Sequence, residues 1–122
     1  MAESIKKNDE FKTVYQNGKS YANKYLVIYI HKNSMEKNRL GISVSKKVGN
    51  SVVRHRIARL LRESFRLNDE KFHSSWDIVV VARMGAKGKK YSDIESAFLH
   101  LAKLHGIYNN EEVIDSVNKN IS

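Results

Sequence analysis

The chain has no cysteine and no proline. Without cysteine there is no disulfide, no thiolate nucleophile and no Cys-ligated zinc or iron–sulfur centre. Without proline, turns fall to glycine, asparagine and polar clusters, and glycine numbers only six in 122 residues. Long apolar runs are also missing. The longest, residues 26–30 and 78–82, are far short of the ~20 residues of a membrane-spanning helix. Residues 1–12 are polar and carry no apolar core of a secretory signal. These absences predict a cytoplasmic protein with no membrane partner. The length suits one domain with a modest core. With 41% hydrophobic and 29% charged residues, the chain reads as folded rather than disordered.

Positive charge is abundant, and it is gathered in one place. Lys and Arg total 22 against 13 Asp and Glu, a net +9. Between residues 39 and 66, eight basic residues (Arg39, Lys46, Lys47, Arg54, Arg56, Arg59, Arg62, Arg66) meet one acid, Glu63, so this segment alone carries +7. A small domain so far from neutrality repels itself unless it meets a polyanion.

Hydrophobic periodicity places the elements. Phe11, Val14 and Tyr15 recur at helical spacing after Asn8, a suitable N-cap, and Gly18 stops the run. Residues 24–31 alternate, with Leu26, Ile28 and Ile30 on one face and Tyr25, Val27, Tyr29 and His31 on the other. Residues 39–45 alternate too, with Leu40, Ile42 and Val44 inward and Arg39, Gly41, Ser43 and Ser45 outward. The polar turn at 33–38 predicts that these two strands pair antiparallel, extended by residues 20–23. Residues 46–50 form a loop, and Asn50 or Ser51 caps a long helix to about Leu67. Residues 77–82 are β-branched and apolar on both faces, which predicts a buried strand. Residues 85–90 form a flexible basic loop. Ser92 caps a third helix that turns Ile94, Ala97, Phe98, Leu101 and Leu104 inward and ends at Gly106. The order is α-β-β-(β)-α-β-α, an α+β sandwich of helices on a small mixed sheet. The core spans about residues 5–106, and 107–122 form a slightly acidic tail or short helix.

On the long helix, with Val53 at 0° and a step of about 100° per residue, Ile57, Leu60, Leu61, Ser64 and Phe65 make the core stripe. His55, Arg59, Arg62 and Arg66 fall opposite, and Arg54 and Arg56 flank the stripe. A charge run is ordinarily a solvated face, but such faces mix signs to gain i,i+4 pairs. This face is nearly all arginine, the residue that binds phosphate bidentately and stacks on bases. It predicts a nucleic-acid-binding surface. Phe11 and Tyr15 lie one turn apart on the first helix. If that helix lies across the end of the sheet, they line a groove with Tyr29, where bases stack; ordinary helix–sheet packing is the plainer alternative.

No catalytic constellation stands out. The five histidines (31, 55, 73, 100 and 105) lack metal-ligand spacing. His105 reads as a satisfied core residue, Asp77 as a turn acid. The 85–90 loop lacks the Gly-Lys-[Ser/Thr] of a P-loop. No catalytic residue and no protein-borne metal are expected.

The stretch from Arg39 to Glu63 joins a strand, a Ser-Lys-Lys-x-Gly-Asn loop and an Arg-x-Arg-Ile-x-Arg-x-x-Arg helix. It resembles the signature of the bacterial ribonuclease P protein subunit. The resemblance extends to Phe11-x-x-x-Tyr15-x-x-Gly18, to Val27-x-Tyr29 and to Ile78-Val-Val-Val-Ala-Arg83, covering about residues 5–106. It implies an αβββαβα sandwich, ribosomal-protein-like, with a mixed four-stranded sheet and a left-handed β-α-β crossover against the usual hand. It implies a non-catalytic subunit that works with a catalytic RNA holding Mg²⁺ or another divalent ion. Together they remove the 5′ leader of precursor tRNA by endonucleolytic hydrolysis. It implies a leader groove at Phe11, Tyr15 and Tyr29, with RNA contacts from Lys46, Lys47, Asn50, Arg54, His55, Arg56, Arg59 and Arg62, and Arg66 at the helix end. His55 stands where the family usually has Asn, and Ala58 where Lys or Arg is common. The rivals are a ribosomal or assembly protein binding structured RNA, a protein-only nuclease and a duplex-DNA reader.

Overall fold

The structure, a computed structural model, describes residues 3–109. The elements are β1 (Glu3–Ser4), α1 (Asn8–Asn17), β2 (Lys19–Ala22), β3 (Leu26–Lys32), β4 (Arg39–Ser43), α2 (Ser51–Asn68), β5 (Trp76–Ala82) and α3 (Tyr91–Leu104), with short 3-10 turns at Asp69–Lys71 and Met84–Ala86. The strand order is β1-β4-β5-β3-β2. The two-residue β1, Glu3–Ser4, makes the sheet five-stranded rather than four.

The apolar β5 takes the central place its sequence demands. Ile78, Val80 and Ala82 face the main core with α2 and α3. Val79 turns to a second, small core with Ile5 and Val14 beneath α1. The sheet is therefore covered on both faces. This overturns the expected hairpin: β3 and β4 do not pair, because β5 lies between them, antiparallel to β3 and parallel to β4. A turn shows that two strands are consecutive, not that they are neighbours. The more apolar strand claimed the buried slot between them. β2 pairs antiparallel with β3 as expected, and α2 joins the parallel β4 and β5.

Helix starts shift by a residue. α1 begins at Asn8 with Lys7 as its N-cap, where the Glu10 carboxylate accepts the Lys7 N–H at 3.3 Å. α3 begins at Tyr91, where Asp93 accepts the Lys90 N–H at 3.3 Å, so neither Asn8 nor Ser92 is the cap. α2 starts as expected, with Asn50 Oδ1 accepting the Val53 N–H at 3.0 Å. Ile57, Leu61, Ser64 and Phe65 of α2 are buried, each apolar side chain contributing about 1.5–3 kcal/mol. Leu104 is exposed, not inward, and Tyr25, placed on the outer face of its strand, packs against the main core. Phe72 closes the far end of the core with Phe65, Phe98 and Tyr108. The tail beyond residue 109, expected as an acidic short helix, lies outside the described residues. Among the described residues no helix is long and apolar enough to cross a membrane.

Candidate nucleic-acid interface

α1 lies across the sheet face opposite α2 and α3, not across the end of the sheet. Val14 is fully buried over Val79. Gly18 ends the helix where a Cβ would meet the Ile30 carbonyl oxygen at 2.5 Å, so the close approach to β3 requires glycine. Phe11 sits on Gly41, where a Cβ would come within 2.9 Å of its ring. Glu10 is tied to Arg39, whose guanidinium also grips Asp77 through Nε (2.9 Å) and Nη2 (2.6 Å). Asn33 Nδ2 donates to the same carboxylate at 2.9 Å. Asp77 therefore lies inside β5 as the buried partner of Arg39, not at a turn.

Between α1 and β4 this seating leaves an open cleft of about 330 Å³, lined by Asn8, Phe11, Lys12, Tyr15, Ile42 and Ser43. Tyr15 is exposed. Its ring meets Tyr29 edge-on at 4.9 Å and lies 6.3 Å from Phe11. Tyr29 and Phe11 are half-buried and pack on the small core, so Tyr29 braces Tyr15 from below while Phe11 and Tyr15 form the wall. Tyr15 and Phe11 present the aromatic cluster to the cleft, while Tyr29 does not line it. Asn8, Lys12, Ile42 and Ser43 are not among the expected groove residues. Lys12 was legible as the basic neighbour of Phe11, whereas Asn8 and Ile42 join the wall only once β4 lies beside α1.

The charge divides into spent and unspent groups. Arg39 is neutralised by Asp77 and Glu10, which hold it charged even more firmly than a free arginine, so it leaves the basic surface. Arg66 pairs with Glu63 one turn before it. That bond, with the field of Arg59 adding to it, holds the Glu63 carboxyl below its ordinary range. Arg54 donates Nη1 to the Gly49 carbonyl at 3.0 Å, bracing the loop before α2. Asn50 spends its side-chain oxygen as the cap. Lys46, Lys47, His55, Arg56, Arg59 and Arg62 are exposed, and the three arginines make no ion pair among the described residues. The unspent cations lie on the loop and on the outer face of α2, which packs on the sheet face opposite α1, and Arg62 reaches the β4 edge beside Ile5 and Ile42.

His105 is only half satisfied. Nε2 lies 2.7 Å from the Ile28 carbonyl, and Nδ1 is buried with no partner. Burial pushes its pKa down, opposed by the Ile28 hydrogen bond. Among the described residues no three His, Asp or Glu side chains converge as metal ligands. The arrangement sets exposed cations on one surface and an aromatic wall on another, groups whose chemistry suits phosphates and bases.

Gly41→Ala tests the seating of α1. The methyl must displace the Phe11 ring, and overpacking of this kind costs about 1–3 kcal/mol. A lowered thermal midpoint is the expected result, read by denaturation, together with a change in iodide quenching of tyrosine in a Trp76→Phe background that disappears when Tyr15→Phe is added.

The family model described as Ribonuclease P matches residues 1–105. A ribonuclease P protein component from Lachnoclostridium phytofermentans is 65% identical over 112 residues, covering 92% of this chain and 97% of that one. The solved RNase P protein of Staphylococcus aureus superposes with a TM-score of 0.83 at 39% identity, covering 89% of this chain and 100% of its own. That of Thermotoga maritima superposes at 0.76 with 31% identity, covering 83% and 96%. With an αβ sandwich, an aromatic cleft and an arginine-faced helix already in place, these matches settle the lineage: the chain belongs to the ribonuclease P protein family.

Proposed function

We propose that this chain binds the single-stranded 5′ leader of precursor tRNA in the cleft between α1 and β4, and engages the catalytic RNA of ribonuclease P with the loop at 46–50 and the outer face of α2. The observation that carries this reading is the separation of an open aromatic cleft from a set of unspent arginines on another face, so that two RNA segments are held at once. Holding leader and catalytic RNA in one assembly converts an encounter into a positioned reaction and screens phosphate repulsion. Hydrolysis, with its divalent ion, belongs to the RNA on this reading.

The test is reconstitution. Added to the purified catalytic RNA at physiological salt and low Mg²⁺, the chain is expected to accelerate removal of the leader. An assembly protein without a nuclease partner gives no acceleration, and a protein-only nuclease cuts without the RNA. Within that assay, Tyr15→Ala is expected to weaken long-leader substrates by about 1–3 kcal/mol, the contribution of one stacked base, and to leave leaderless tRNA unchanged. Equal loss on both substrates excludes a leader cleft.

A further inference from the structure

A second basic patch lies outside the cleft and outside α2. Residues 83–90 hold Arg83, Lys87, Lys89 and Lys90 with no acid. The fold presses this loop onto the turn before β3. Arg83 N–H donates to the Tyr25 carbonyl at 2.9 Å, and its Nη1 donates to the Asn23 carbonyl at 2.8 Å. A Cβ on Gly85 would meet the Lys24 carbonyl oxygen at 2.6 Å, so glycine permits the docking. The result places Lys24 Nζ and Lys89 Nζ at 5.2 and 5.3 Å from the centre of the Tyr25 ring. Beside this ring, between the turn and α3, opens a cleft of about 510 Å³, within the size range of small-ligand sites.

The floor of that cleft is fixed. Asn23 Oδ1 accepts the N–H groups of Tyr25 (3.1 Å) and Leu26 (2.9 Å). Its Nδ2 donates to the Ala97 carbonyl at 3.0 Å and lies 3.3 Å from His100 Nδ1. One asparagine thus locks the turn to α3, and the exposed His100 stands at the rim. Asp93 is the single acid among the lining residues, and one of its oxygens accepts the Lys90 N–H at 3.3 Å. An aromatic ring attended by two ammonium groups, with a polar edge opposite, suits a base joined to a phosphate.

We propose that the cleft between residues 23–25 and α3 is a second RNA-binding site, in which Lys24 and Lys89 take a backbone phosphate and Tyr25 and His100 take the adjoining base. The proposal rests on the reading of this chain as an RNA-binding subunit, and adds a contact separate from the leader cleft and from the α2 arginines. The phosphate comes from the catalytic RNA or from precursor tRNA, and the two sources separate in the test.

The test uses the full chain carrying Lys24→Ala and Lys89→Ala, both outside the hydrophobic core, with circular dichroism confirming the fold. Affinity is measured against salt for the catalytic RNA alone and for precursor tRNA alone, beside an Arg59→Ala control. Loss of two phosphate contacts is expected to flatten the log–log slope by roughly 1.4–1.8 for one RNA. Loss on the catalytic RNA assigns the site to it; loss on precursor tRNA assigns it there. In the assembled complex, 4-thiouridine-substituted RNA is expected to crosslink to Tyr25 or His100. Unchanged slopes for both RNAs, or crosslinks confined to Phe11 and Tyr15, overturn the site while a flattened slope in Arg59→Ala leaves the main reading standing. If Arg59→Ala and the double variant are both inert, the α2 interface fails as well.

Discussion

Arg39→Met is expected to cost about 3 kcal/mol of folding stability at neutral pH, the lower end of the 3–5 kcal/mol for breaking a buried pair, because a fifth of the Arg39 side chain still meets water. Methionine keeps the chain volume and removes the charge. Asp77, with only 7% of its side chain exposed, is then left with Asn33 as its remaining side-chain donor. Burial alone raises the Asp77 pKa, but the hydrogen bonds of Arg39 and Asn33 outweigh it and hold the carboxyl below its ordinary range. Glu10 is held low chiefly by its bond to Arg39. Depressed carboxyl pKa values stabilise the fold above the unfolded pKa near 4, and this contribution disappears as the pH falls through the folded values. The gap between wild type and Arg39→Met is therefore widest at neutral pH and narrows as the pH falls, first as Asp77, without Arg39 to offset its burial, protonates in the variant, and then as it protonates in wild type. The lowered pKa of His105 removes stability from both proteins alike as the pH drops below about 6.5, and cancels in the difference. Urea denaturation at a series of pH values reads the result. A gap that stays constant down to pH 3 means that the ion pair does not stabilise the seating of α1.

The same ion pair shows where sequence reading stopped. Periodicity is a local property, and it located α1, β3, β4, α2, β5 and α3 because each carries its own repeat of apolar residues. The pairing of β5 between β3 and β4 is a property of the whole sheet, and no local pattern encodes it. Arg39 reads with the basic segment 39–66 because its acids, Glu10 and Asp77, lie 29 and 38 positions away. Only the pairing of β4 with β5, and the crossing of α1 above them, brings the three together. The alternation of residues 39–45 did place Gly41 and Ser43 on the face that α1 covers. Gly41 is where Phe11 rests, and Ser43 lines the cleft. The second basic patch was legible only in part, as the basic loop at 85–90, for a related reason. Outside residues 39–66 the charges nearly balance along the chain, yet folding docks the 83–90 loop on Lys24 and gathers lysines that are distant in sequence.

Function and stability are expected to move in opposite directions on the outer face of α2. Arg56, Arg59 and Arg62 are exposed and make no ion pair among the described residues. Within the fold only the field of Arg59 on Glu63 is lost when they go. Alanine is the best helix former, and removing like charges relieves repulsion along the helix, so the triple Ala variant is expected to be as stable as wild type or more so. Binding of the catalytic RNA is expected to fall steeply. A hydrogen bond to a charged partner contributes about 1.5–3 kcal/mol, so the low end is near tenfold per arginine. The log–log salt slope is expected to flatten by roughly 2–3 for three lost phosphate contacts. The spent arginines separate this account from one of net charge alone. Arg66→Ala releases Glu63 as well as removing a cation, whereas Arg54, bound only to the neutral Gly49 carbonyl, keeps its charge and its other N–H donors and counts with the unspent group. Arg39→Met removes a charge that faces Asp77 and Glu10. Among folded molecules, it is expected to leave the salt slope for the catalytic RNA unchanged. Filter binding of each variant across a salt series, with thermal melts alongside, ranks them. If all these arginines flatten the slope equally, the chain acts as a diffuse cation, and the division between spent and unspent charge has no bearing on how it grips RNA.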